Sequence, residues 1–135
     1  MIASPASHAG SCLCGAVAFT VGGALDEVDL CHCSQCRRAN GAAFNVAVIV
    51  DAAQVSFGNR ETIREFSGSP GKHRAFCGTC GTPVYSRRDD LPGKMRLRGG
   101  TIVNLPEPAN LRHIYFGSRW PWIDRIFAAP TCEEM

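Results

Sequence analysis

The sequence has little that would place it in a membrane or on a nucleic acid. Its longest apolar stretch, Ala42 to Val50, is interrupted by Asn45 and falls far short of the roughly 20 residues that span a bilayer. Met1 to Gly10 contain no Lys or Arg and no apolar segment of signal-peptide length, so export is not expected. The formal charge is only +2, and no basic stripe interleaved with aromatics is present to follow a phosphate backbone. The expectation is a soluble cytoplasmic protein with neither a membrane nor a nucleic-acid partner. Nothing in the chain sets an oligomeric state.

Helix-forming pattern and internal repeats are also scarce. Ala16 to Val21 alternates around Val17, Phe19 and Val21, while Phe44 to Val50 and Thr62 to Phe66 are β-branched or aromatic runs bounded by Gly, Asp and Ser. His73 to Phe76, Val84 to Ser86, Met95 to Leu97 and Ile114 to Phe116 are shorter strand candidates. One helical turn is expected from a cap at Ser34 through Gln35 to Ala39, stopping at Asn40-Gly41. Leu105 to Asn110, with Pro106 and Pro108, reads as an extended connection, and the tail after Pro130 as frayed. The pattern describes a single mainly β domain over 1–135, built of small antiparallel sheets.

What the chain does have is cysteine. Seven of its eight cysteines fall in three clusters: Cys12-Leu13-Cys14, Cys31-His32-Cys33-Ser34-Gln35-Cys36 and Cys77-Gly78-Thr79-Cys80. In a reducing compartment such clusters indicate metal ligation rather than disulfides. Two residues at i and i+2 on a flat strand stand about 7 Å apart, too far for neighbouring corners of a zinc tetrahedron. The first pair therefore needs a bend, which Gly15 can supply through a positive φ. The last pair, followed by Gly81, has the form of a metal knuckle. Cys132 stands alone in the tail and reads as an uninvolved thiol.

Seven ligands exceed one tetrahedral site. The middle cluster supplies three sulfurs within six residues and can form one face of a tetrahedron unaided; each outer pair supplies half a site. The economical partition puts Cys12, Cys14, Cys77 and Cys80 around one zinc and Cys31, Cys33 and Cys36 around a second. Four thiolates leave a divalent ion near −2 with no open position; three leave it near −1 with room for a visiting thiolate.

These residues carry a family resemblance. Gly10-Ser11-Cys12-Leu13-Cys14-Gly15, Cys31-His32-Cys33-Ser34-Gln35-Cys36-Arg37-Arg38 and Phe76-Cys77-Gly78-Thr79-Cys80-Gly81 resemble the glutathione-dependent formaldehyde-activating enzymes, grouped with the centromere-protein-V (Gfa) domain. The likeness continues through Asn104-Leu105, His113-Ile114-Tyr115, Ser118-Arg119 and Pro121-Trp122, a core of about 10–124. The resemblance implies an Mss4-like β fold stapled by zinc, the outer four cysteines structural and the middle three catalytic. It implies a carbon-sulfur lyase that forms or breaks a thiol-aldehyde adduct such as S-hydroxymethylglutathione, with glutathione as cosubstrate. The alternative is a non-catalytic zinc-binding module that serves a protein partner.

Within the middle cluster, His32 could give a proton to the alkoxide, although a histidine standing behind the metal or at the surface is the plainer reading. Arg37 and Arg38 follow directly and could hold a substrate carboxylate. A solvated pair at a helix C-terminus explains them as well.

Overall fold

The computed structural model describes residues 7–135; residues 1–6, part of the segment read above for export, lie outside the described residues. Among the described residues, ten strands form two sheets. Strands β1 (Ser7–Ser11), β2 (Ala18–Gly22) and β5 (Val55–Phe57) make a three-stranded antiparallel sheet in the order β1-β2-β5. Strands β3 (Glu27–Cys31), β4 (Asn45–Asp51), β6 (Ile63–Ser69), β7 (Lys72–Cys77), β8 (Pro83–Arg88), β9 (Lys94–Arg98) and β10 (Asn110–Ile114) form the larger sheet. Its order is β10-β3-β4-β9-β8-β7-β6. The protein is mainly β and its pairings are antiparallel, save that β10 lies parallel to β3 with Ile114 opposite Cys31. The single α-helix among the described residues, α1 (Ser34–Asn40), follows β3.

Cross-strand register divides the larger sheet into two unlike faces, because directly opposed residues point the same way. Val28 opposes Val48, Val48 opposes Leu97, and Leu97 opposes Tyr85; all are buried and form the core with Val17, Phe19 and Val21 of the small sheet. Gly10 belongs to this contact, since a Cβ there would sit 2.2 Å from the Phe19 ring. The other face carries Cys31 opposite Asn45, Ala47 opposite Arg98, Arg96 opposite Ser86, and Lys72 opposite Arg88. Arg74, opposite Ser86, completes it. That face is polar and basic, and α1 lies by it with Cys36 buried and 4.0 Å from an Arg74 nitrogen.

Two expected boundaries differ in detail. The residue capping α1 is Cys33, not Ser34: its sulfur accepts from the Cys36 amide at 3.3 Å, which satisfies a helix N-terminal donor. The last strand is Asn110–Ile114 rather than Ile114 to Phe116, because Tyr115 turns into the left-handed region at φ 51 and a 3-10 turn covers Phe116–Ser118. The helix ends as expected, with Gly41 at φ 60 returning its amide to the Arg37 carbonyl.

Candidate metal centre and active site

The first cysteine group assembles from two turns. After β1 the chain bends through Gly15, at φ 83, and brings Cys12 and Cys14 to an Sγ-Sγ distance of 3.6 Å. The turn between β7 and β8, with Gly81 at φ 80, presents Cys77 and Cys80; Cys14 and Cys77 stand 3.8 Å apart. Tetrahedral zinc with a Zn-S bond near 2.3 Å has S-S edges of about 3.8 Å, so the donor set has the spacing such an ion requires. The sulfurs receive neutral donors: Val17 N to Cys12 at 3.3 Å and Thr79 N to Cys77 at 3.4 Å. Thr82 lies 3.2 Å from Cys80, and its hydroxyl and amide pull the Cys80 thiol down to about 5. All four sulfurs lie within 4.8 Å of one another and could hold a metal ion. Closed there, the group ties the small sheet to the large one.

The second group holds Cys31, Cys33 and Cys36, with sulfurs likewise within 4.8 Å and no fourth His, Cys, Asp or Glu among the described residues. Cys31 ends β3, Cys33 caps α1, and Cys36 sits one turn along, so a strand end and a helix start give the three sulfurs a common focus. The group shares its charge unevenly. Hydrogen bonds from Cys31 and Cys33, with Lys72 and Arg74 nearby, draw the Cys36 thiol down to about 4, while the hydrogen bond with Cys36 and burial push Cys31 up. A soft donor set of three thiols, one already acidified, fits zinc.

This group opens into a cavity of about 450 Å³, with Cys31 and Cys33 in its wall. Ser34 and Gln35 at the start of α1, Ser69, Pro70 and Lys72 around the β6-β7 turn, and Ile114 and Tyr115 at the end of β10 close the sides. Arg88 and Arg96 add charge. Burial and the neighbouring Arg74 push the Lys72 ammonium down. Arg96 also reaches buried Asp29 at 3.5 Å, whose main partner is Arg112 at 2.7 Å.

Of the residues singled out beside the middle cluster, His32, Arg37 and Arg38 do not line this cavity. His32 is wholly buried behind the cysteines, with Nε2 2.8 Å from His113 Nδ1 and the rings of Phe44 and Phe116 each 5.2 Å away. Burial lowers its pKa and favours the neutral ring. Arg37 donates to the carbonyl of His32 at 2.9 Å and to that of Ser118, clasping the cysteine loop to the 3-10 turn after β10. Arg38 is exposed. The cavity's basic residues come from β7, β8 and β9 instead. Their only trace in the sequence is the i, i+2 spacing of Lys72 with Arg74 and of Arg96 with Arg98.

The comparisons agree with this architecture. No curated protein matches the chain. Among solved structures, the crystal structure of a Rhodobacter sphaeroides protein, a structural-genomics target, superposes with a TM-score of 0.62 at 21% identity. The match covers 78% of this chain and 98% of that one, and at that identity it carries the fold alone. The family model described as glutathione-dependent formaldehyde-activating enzyme matches residues 7–118, which include both cysteine groups and the cavity wall at Ile114 and Tyr115. The chain therefore belongs to the glutathione-dependent formaldehyde-activating enzyme family.

Proposed function

We propose that the protein is a zinc-dependent carbon-sulfur lyase that makes and breaks a thiol-aldehyde adduct, S-hydroxymethylglutathione being the reference product. The observation that carries this reading is the contrast in ligand number: the group that faces the cavity has three sulfurs, while the group between the sheets has four. Zinc held by Cys31, Cys33 and Cys36 would supply a Lewis-acidic fourth position at which a thiol loses its proton.

The chain's own residues then have separable tasks. Lys72, Arg88 and Arg96 give the cavity a positive lining that suits a thiol bearing carboxylates, as glutathione does. The thiolate sulfur attacks the aldehyde carbon, the new carbon-sulfur bond forms, and the carbonyl electron pair moves to oxygen. Lys72, half-buried and with a depressed pKa, is the cavity group suited to protonating that oxygen. His32 and Arg37 act as positioning residues: one fills the space behind the cysteines, the other holds the turn that follows Tyr115. Tyr115 pays for its place in the wall with a left-handed backbone, a conformation costing on the order of 1 kcal/mol outside glycine.

Metal analysis of the purified chain, followed by titration with glutathione and then with formaldehyde, tests the reading. Two zinc ions per chain are expected, one of them perturbed by glutathione, with adduct formation observable by NMR. Two inert zinc ions indifferent to the thiol would overturn the assignment and favour a purely structural role for both groups.

A further inference from the structure

Beside the cysteine cavity the polar face of the larger sheet holds a second, smaller cleft of about 130 Å³, between α1 and strands β6 to β9. Ala39, Phe66, Phe76 and Pro83 contribute apolar surface, and Arg74 and Arg98 line it with charge. Both arginines are nearly sealed from solvent, at 5% and 6% exposure. Buried guanidinium groups normally stand against carboxylates, because an unpaired buried charge is strongly unfavourable. Here no Asp or Glu pairs with either among the described residues. Asp29, the one buried carboxylate, is taken by Arg112 and Arg96.

The partners they do have are neutral or already shared. Arg98 Nη1 reaches Ser86 Oγ and the Arg96 carbonyl at 3.5 and 3.4 Å, and its Nε has no partner. One nitrogen of Arg74 faces the Cys36 sulfur at 4.0 Å, and its Nη1 has none. Burial, with Arg74 alongside, pushes Arg98 down to about 10, which reports the same uncompensated charge. With a divalent ion in the nearby group, three thiolates sum to only about −1 against two buried guanidinium groups and half-buried Lys72.

We infer that the cleft between α1 and the β7-β8-β9 face is a binding site for a small oxyanion, held by the guanidinium groups of Arg74 and Arg98 that line it. The size suits an inorganic oxyanion or the carboxylate of a small acid, and Phe66 and Phe76 would shield the pair from water. The site is separate from the cavity that receives the thiol. It would be filled whether or not the lyase reaction proceeds.

The test is thermal unfolding of the zinc-loaded full chain while chloride is replaced by sulfate or by acetate at fixed ionic strength. At ten times the dissociation constant, a saturable rise in Tm of about 4 °C is expected. Sulfate and acetate distinguish the two sources of the oxyanion, and a response to either supports the site. Ala39→Phe, which fills the cleft without touching a charge, should abolish the rise, and Arg98→Met should abolish it as well. Lys72→Met, on the cysteine cavity, should leave it intact. A linear rise shared by wild type and Ala39→Phe is a general salt effect and overturns the inference, as does a rise lost in Lys72→Met. Should Arg98→Met fail to fold, Ala39→Phe decides. The readout is stability, so an absence of lyase turnover would leave this result standing.

Discussion

The two cysteine groups use the same donor atom in surroundings that differ at every other point. Around Cys12, Cys14, Cys77 and Cys80 the sulfurs are met by backbone amides and a threonine, and the group joins two sheets. Around Cys31, Cys33 and Cys36 the neighbours are Lys72, Arg74 and Arg96 on the polar face of one sheet, and a cavity opens onto Cys31 and Cys33. A closed set of four neutral-capped thiols is suited to permanence. An open set of three backed by cations is suited to a fourth ligand that comes and goes, and to one that arrives negatively charged.

The largest expected effect comes from exchanging a ligand in each group. Cys77→Ser should abolish the cooperative unfolding transition, because a zinc held by the four cysteines would contribute on the order of 10 kcal/mol of coupled binding. Cys33→Ser should keep the far-ultraviolet circular dichroism and a cooperative transition while lowering adduct formation at least 100-fold. Equal loss of fold in both variants would erase the distinction between the groups.

Next in size is charge removal in the cavity. Lys72→Met and Arg88→Met should each raise KM for glutathione about tenfold, the weight of one charge-assisted contact. For Lys72→Met, kcat should also fall if it protonates the alkoxide, so steady-state kinetics over a range of thiol concentrations separate the two arginine and lysine roles.

A smaller, opposite effect is expected at the rim. Tyr115→Gly removes the positive-φ penalty and should stabilise the fold by about 1 kcal/mol in urea unfolding, while weakening turnover through loss of the cavity wall. Destabilisation would mean that contacts of the ring outweigh the backbone cost.

The smallest effect lies away from both groups. Glu65 accepts from Arg87 at 2.8 and 3.0 Å and from Tyr85 at 2.8 Å, and these bonds hold its carboxyl below the ordinary range. A depressed carboxyl stabilises the fold above its unfolded pKa near 4.5, and that contribution is lost as pH falls through the lower folded value. Glu65→Gln should therefore cost about 1 kcal/mol at pH 7 and progressively less toward pH 3, measured by urea unfolding across pH.

Much of this arrangement is legible in the sequence, and the part that is not has a common cause. The partition of seven cysteines follows from local spacing, and α1 from Asn40-Gly41 at its end, because both are short-range properties. Strand β3 escapes a sequence reading because it is only five residues long and two of them are acidic, and the partners that let Asp29 be buried, Arg112 and Arg96, are remote in the chain. The cavity's cations escape for a related reason. Lys72, Arg88 and Arg96 are scattered along the chain and converge only through strand register. Arg37 and Arg38 adjoin Cys36 in sequence, yet a helix turns neighbouring side chains apart, and Arg37 reaches the carbonyls of His32 and Ser118.

The parallel pairing of β10 with β3 also sets an order of events during synthesis. All seven clustered cysteines have been made once residue 80 is in place, so both thiol groups can gather metal while the rest of the chain is still emerging. The wall at Ile114 and Tyr115 arrives last and must find Cys31 across a long contour, the slow kind of contact. A nascent chain would thus pass through a stage with its reactive sulfurs bare, before the final strand shuts them into a pocket.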